Sequence, residues 1–136
     1  MAHEEVLTSI TLQAAADLSA YQYCAVCFTT LGYVTATTGP LSSGIIGILQ
    51  DKSTAAGYAV KVGIDGVSKV FAGNTSAHES TIAFGGILVP SSGSLGRLVA
   101  ATATGQDVVA IALEMLTSGY QGLISARLVP GQMLSS

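Results

Sequence analysis

The 136-residue chain reads as mainly β, a small single-domain β-barrel or β-sandwich with at most one short helix and an extended N-terminal arm. Three observations predict this. Tyr58, Val60, Val62 and Ile64 alternate with smaller or charged neighbours, the period of a strand. Asp65-Gly66 follows directly, and Asp-Gly is a preferred two-residue type I′ hairpin turn into Val67 to Ala72. An internal echo supplies the third: Ile46-Gly47-Ile48-Leu49-Gln50-Asp51 recurs as Val109-Ala110-Ile111-Ala112-Leu113-Glu114, and Gly57-Tyr58 as Gly119-Tyr120. Two copies fall short of a repeat array, so the echo points to a two-fold barrel or sandwich.

Taken in order, residues 1–12 read as an arm, with Leu7 to Leu12 either a short strand or extended. Ala14 to Tyr21 has helix formers but no cap, and reads as a turn or one helical turn. Tyr23 to Thr29 is a strand by its β-branched and aromatic content, with Val34 to Thr38 as hairpin partner. Gly39-Pro40 and Ser42-Ser43-Gly44 punctuate the entry to Ile45 to Gln50, a short apolar strand. The Asp65-Gly66 turn would set Val62 opposite Lys69 and Lys61 opposite Val70, leaving bulky apolar residues and one lysine on each face and implying a sheet covered on both sides. Asn74 to Ser80 is a polar loop, followed by Thr81 to Phe84. Ile87 to Val89 is a strand ended by Pro90, Ser91 to Ser94 a tip, and Leu95 to Ala101 another strand. Val108 to Glu114 is ambiguous by composition, and the echo makes it a strand, as it does Leu123 to Val129. One β-rich domain over 13–131 and a C-terminal tail over 132–136 complete the division.

Only 10% of residues are charged, against roughly 25% in an ordinary soluble domain, while 49% are hydrophobic. Mean hydropathy is +0.58. So little charge cannot cover the surface, and part of it is expected to face other subunits, a larger assembly or a membrane. A membrane span is not expected, because no 18-residue apolar run occurs. The acidic start Met1-Ala2-His3-Glu4-Glu5 lacks the positive charge of a signal peptide, so the chain reads as made inside the cell and unprocessed. With net charge −3 and basic residues spaced singly at Lys52, Lys61, Lys69, Arg97 and Arg127, nucleic acid is not an expected partner.

Motifs for chemistry are sparse. Cys24-Ala25-Val26-Cys27 on a strand would point its thiols to opposite faces, away from a shared metal or a bridge, so both read as reduced, buried structural residues. His78-Glu79-Ser80 is a loop run without a nucleophile elbow. No glycine precedes a lysine, which excludes a P-loop. Asp51 and Glu114 occupy equivalent places in the echo and read as strand ends. An enzyme would have to draw on Asp51, His78 and Glu114, and a ligand-binding barrel on Tyr21, Tyr23, Tyr58 and Tyr120. Neither set is visibly convergent. No enzyme activity, metal, cofactor or small-molecule substrate is expected, with a small-ligand-binding β-barrel as the alternative.

Gly47-Ile48-Leu49-Gln50-Asp51, Ala55-Ala56-Gly57, Val60-Lys61-Val62 and Gly66-Val67-Ser68-Lys69-Val70 resemble the capsid cement, or head decoration, proteins of tailed bacteriophages. Ala101 to Asp107, Ile111 to Glu114 and Ile124 to Leu128 fit the same pattern, so the resemblance spans roughly Leu12 to Gly131. It implies a β-tulip-like decoration domain on the capsid's outer surface. There, homotrimers clamp the lattice of the major capsid protein against internal pressure. The arm before the region of resemblance is then expected to order on a neighbour, with Glu4, Glu5, Val6 and Leu7 as its capsid-contact residues.

Overall fold

A computed structural model describes residues 5–38, 44–52, 55–73, 81–91, 95–102, 106–117 and 120–133. The described residues form nine strands and no helix: β1 (Glu5–Gln13), β2 (Ala25–Phe28), β3 (Val34–Ala36), β4 (Ile45–Leu49), β5 (Ala59–Ala72), β6 (Ile87–Pro90), β7 (Leu98–Ala100), β8 (Asp107–Ala112) and β9 (Gly122–Met133). They join in one sheet that closes on itself. The circuit β5, β7, β6, β8, β9 returns to β5, giving a closed five-stranded barrel. Every junction is antiparallel except β5 to β7, which is parallel and held by Ala72 against Leu98.

The barrel interior is packed with side chains. Val70 and Ala72 of β5, Leu88 of β6, Leu98 of β7, Val109, Ala110 and Ala112 of β8, and Ile124, Ala126 and Leu128 of β9 form one buried cluster. A barrel this narrow has room for side chains and little else. Outside it, β1 and β4 pair with the first half of β5, β4 with β2, and β2 with β3. Ala14, just past β1, bridges Val34 of β3, so this second lobe also closes its circuit. Leu18, Val26, Val34, Leu49, Val60 and Val62 fill it, with Ile10 and Leu12 packed alongside.

Strand β5 belongs to both lobes. Val62 pairs with β1 and β4, Val67 with β1 and β9, and Ala72 with β9 and β7, so each edge of β5 serves two partners in turn. Its inward face carries Val60 and Val62 in one cluster and Val70 and Ala72 in the other, with the buried polar Ser68 between them. Gln50, at the end of β4, ties the two halves together. Its Nε2 donates to Ser68 Oγ at 3.0 Å and Ile48 O at 3.1 Å, and a Cβ on Gly63 would lie 2.8 Å from that nitrogen.

The expected Asp65-Gly66 hairpin turn is therefore not formed. Asp65 and Gly66 sit mid-strand, and Val62 pairs with Ile10 and Leu49 rather than Lys69, while Lys61 pairs with Thr11 rather than Val70. The glycine is nonetheless special, with φ of +96°. Against β1 the register skips Leu7 on one strand and Ile64 on the other, two bulges that cancel. A continuous strand wins because it places Lys61, Asp65 and Lys69 on the outward face and Val60, Val62 and Val70 inward. The hairpin would have mixed lysine and apolar residues on both faces, so the expected two-sided cover is not needed.

Residues 5–12 are likewise not a free arm, since β1 pairs with β5 from Glu5 to Gln13. The apolar alternates Ile10 and Leu12 anchor it in the second core, which the count of apolar residues alone undervalued. At the other end β9 runs through Met133, two residues beyond the expected domain limit. Ala14 to Tyr21 is a turn region, and the expected hairpin forms in shortened form as β2 and β3, with Tyr23 and Cys24 in the turn before β2, so Cys24 and Cys27 do not share a strand. Val108 to Glu114 is strand up to Ala112. Glu4, the Asn74 to Ser80 loop including His78, and Ser92 to Ser94 lie outside the described residues.

Two outcomes follow. At Gly66 a Cβ would overlap Glu5 O and meet Leu7 N at 2.6 Å, whereas at Gly32, also at positive φ, it meets nothing within 4 Å. Gly66→Val should cost roughly 3 kcal/mol and Gly32→Ala about 1 kcal/mol, read from urea midpoints; equal losses would mean the bulge is not a tight joint. Removal of residues 1–12 should lower the midpoint sharply, by exposing the second core. A truncated chain as stable as the full one would contradict that.

Candidate functional site

The outward face of β5 and β9 sets Phe71 directly opposite Leu123. Beside them lies Tyr23, whose φ of 67° is rarely adopted by a bulky aromatic residue and costs of order 1–3 kcal/mol. Two backbone bonds impose it: Tyr23 N–H donates to Leu49 O at 2.7 Å, and Phe71 N–H donates to Tyr23 O at 2.9 Å. The result turns an aromatic ring toward the seam between the lobes. Ser19, Ala20, Gln22, Tyr23, Lys52, Phe71 and Leu123 line an open groove there of about 270 Å³.

Cations gather around it. Lys69 Nζ stands 5.6 Å from the centre of the Tyr23 ring, and the Arg97 guanidinium 4.3 Å from that of Phe71. Each such contact contributes about 0.5–1 kcal/mol at exposed sites. Of the five basic residues, Lys52 lines the groove, and Lys69 and Arg97 lie against two of the rings that line it.

A second surface lies at the β1–β5 bulge. Leu7, skipped by the register, is 71% exposed. Glu5 and Asp65 flank it, both exposed, with the Asp65 carboxylate accepting the Gly66 N–H at 2.9 Å. Of the expected contact residues, Glu5, Val6 and Leu7 are therefore on a paired strand, and Leu7 projects from it.

Asp51 and Glu114 are strand-end residues with one shared task. Asp51 Oδ2 accepts the Lys61 N–H and Glu114 Oε2 the Ser125 N–H, each at 2.9 Å. The neighbouring amides of Gln50 and Leu113 donate to the carbonyls of Lys61 and Ser125, also at 2.9 Å each. The echo in sequence is an echo in structure, β4–β5 and β8–β9, and these carboxylates hold backbone rather than a reacting atom.

Cys24 and Cys27 are both buried and free. Burial pushes the Cys24 thiol up to about 11, with the Arg97 charge pulling the other way, and burial also raises Cys27. Tyr58 and Tyr120 are 59% and 67% exposed, Tyr21 packs on the second core, and Tyr23 alone of the four lines the groove. Among the described residues, no group of three or more His, Cys, Asp and Glu could hold a metal ion, and no helix is long and apolar enough to cross a membrane.

No family model, curated protein or solved structure matches the chain. The groove and the bulge are what its own geometry offers. Gln22, Lys52, Phe71, Arg97 and Leu123 were not singled out together in the sequence because they come from separate segments, and no spacing rule links them.

The thiols give a direct check on packing. At pH 8, alkylation of Cys24 in the folded protein should be slower than in urea by about 100-fold, the thiolate fraction lost to a rise of two pKa units. Because the folded value lies above the unfolded one, the associated stability is present below the ordinary thiol range and is lost as pH rises through about 11. Equal alkylation rates in buffer and urea would show that Cys24 is accessible.

Proposed function

We propose that the protein is a structural virion component that binds the outer surface of an icosahedral phage capsid as trimers and stabilises the major capsid protein lattice. One observation carries the reading: eleven large apolar side chains among the described residues are 38–80% exposed, on a chain with 10% charged residues. Soluble monomers rarely expose broad apolar surface without a partner for it. The resemblance to decoration proteins supplies the identity of that partner and the three-fold arrangement.

Seven of the eleven fall in two places. Phe28, Leu31 and Tyr33 crown the β2–β3 hairpin, whose tip is fixed by Thr29 N–H to Tyr33 O at 2.7 Å. Phe84, Leu113 and Met115 surround the bridge between Ile82 and Leu116, with Tyr120 nearby. We assign these ends to shell contact. Three subunits seated together make weak individual contacts add to firm attachment. The side-chain-filled barrel weighs against the alternative of a ligand-binding barrel, as does the use of Asp51 and Glu114 against catalysis.

Since the assigned shell contacts are apolar, attachment should survive salt. Purified particles washed in molar sodium chloride are expected to retain their decoration. Leu31→Glu, at a solvent-exposed tip, should fold normally and abolish binding. Release of the wild-type protein by salt alone would overturn the assignment.

A further inference from the structure

The groove and the bulge complement each other. The groove combines an apolar wall, Tyr23, Phe71 and Leu123, with Lys52 in its lining, and Lys69 and Arg97 lie against the Tyr23 and Phe71 rings. The bulge combines one projecting apolar side chain, Leu7, with the carboxylates of Glu5 and Asp65. Leu7 does not line the groove of its own chain. We propose that the groove receives the Glu5, Leu7 and Asp65 knob of a second copy, and that this junction, repeated around the ring, holds the oligomer together.

The parts suit that role physically. Leu7 stands out because the two bulges free it from the ladder, and Gly66 lets the backbone pass beneath it. Tyr23 is held in a costly conformation that turns it to the groove, a strain more at home at a binding surface than in a structural loop. Lysine and arginine lying on aromatic faces keep charge at an apolar wall, which suits an apolar anchor bordered by carboxylates. Knob and groove are made of different residues, so the contact is either reciprocal, in a two-fold dimer, or head-to-tail, in a closed ring or a filament. The closed ring of three rests on the trimer proposed above. The junction itself does not.

Cross-linking tests it in the purified full chain, without shells. A chain carrying Leu7→Cys and Ser19→Cys should form disulfides between copies under mild oxidation, up to a covalent trimer on a denaturing gel. Leu7→Cys with Tyr58→Cys, outside the groove, should not. Buried Cys24 and Cys27 stay silent. A second measurement uses charge. Lys52→Glu should weaken the wild-type oligomer by about ten-fold in sedimentation, and adding Glu5→Lys to the same chain should restore it. A trimeric wild type with no 7–19 bond between copies would overturn the junction and leave the trimer standing. Bonds between copies that build dimers or filaments would uphold the junction and overturn the trimer. If Lys52→Glu stays oligomeric but no longer binds shells, the groove serves an acidic segment of the capsid and the proposal fails.

Discussion

One strand holds this molecule together, and its passage between two cores is the constraint on which the rest depends. β5 gives Val60 and Val62 to one apolar cluster and Val70 and Ala72 to the other. Between them the chain must change partners on both edges, from β1 and β4 to β7 and β9. The bulge at Gly66 permits the change, and Gln50 braces it from β4 to Ser68. A buried polar brace of this kind stabilises only when it is satisfied, and Gln50 Nε2 has two acceptors. Because both lobes share the strand, loss of either core is felt by the other. The groove lies beside this joint: Tyr23 reaches it through Leu49 of one lobe and Phe71 of the other.

The strands were legible where the signal is local. Alternation at Tyr58 to Ile64, the β-branched run at Tyr23 to Thr29 and the echo of Ile46 to Asp51 at Val109 to Glu114 all correspond to strands, because a period of two is written in adjacent residues. Asp65-Gly66 misled for a physical reason. A type I′ turn needs residues at positive φ, and the bulge formed here likewise holds Gly66 at positive φ, so the same dipeptide suits either. Only pairing with β1, some sixty residues distant, decides between them. The pairing of β1 was hidden for the same reason. Of the site, the sequence offered Glu4, Glu5, Val6 and Leu7 as capsid-contact residues, and Tyr23 only as one of four tyrosines, not visibly convergent, that a ligand pocket would need. It could not offer Lys52, Phe71, Arg97 and Leu123 as a set, since tertiary folding alone brings them together.

The echo shows two segments of different sequence doing the same structural job. Asp51 and Glu114 differ by a methylene, and the residues they hold, Lys61 and Ser125, differ entirely in side chain. What is kept is a carboxylate accepting a backbone amide across a strand pair, a charge-assisted bond that side-chain identity does not disturb. Whichever residue occupies position 61 or 125, its N–H is there to donate.

The same economy extends to the whole charge set, and it bears on function. Asp17 accepts the Ser19 N–H, and hydrogen bonds from the Ser19 side chain first and this N–H second hold its carboxyl below the usual range. Asp65 accepts the Gly66 N–H, and Asp51 and Glu114 accept amides of the next strand. Half of the eight acidic residues are thus engaged with backbone, while Lys69 and Arg97 rest on aromatic rings. A chain that lives free in solution needs its charges turned to water, to keep copies apart. This one has few charges and uses many of them on itself. Leu7, Leu31, Phe84 and Tyr120 remain more than two-thirds exposed or close to it. That combination is what the proposed role requires, a subunit whose surface would be completed by its neighbours.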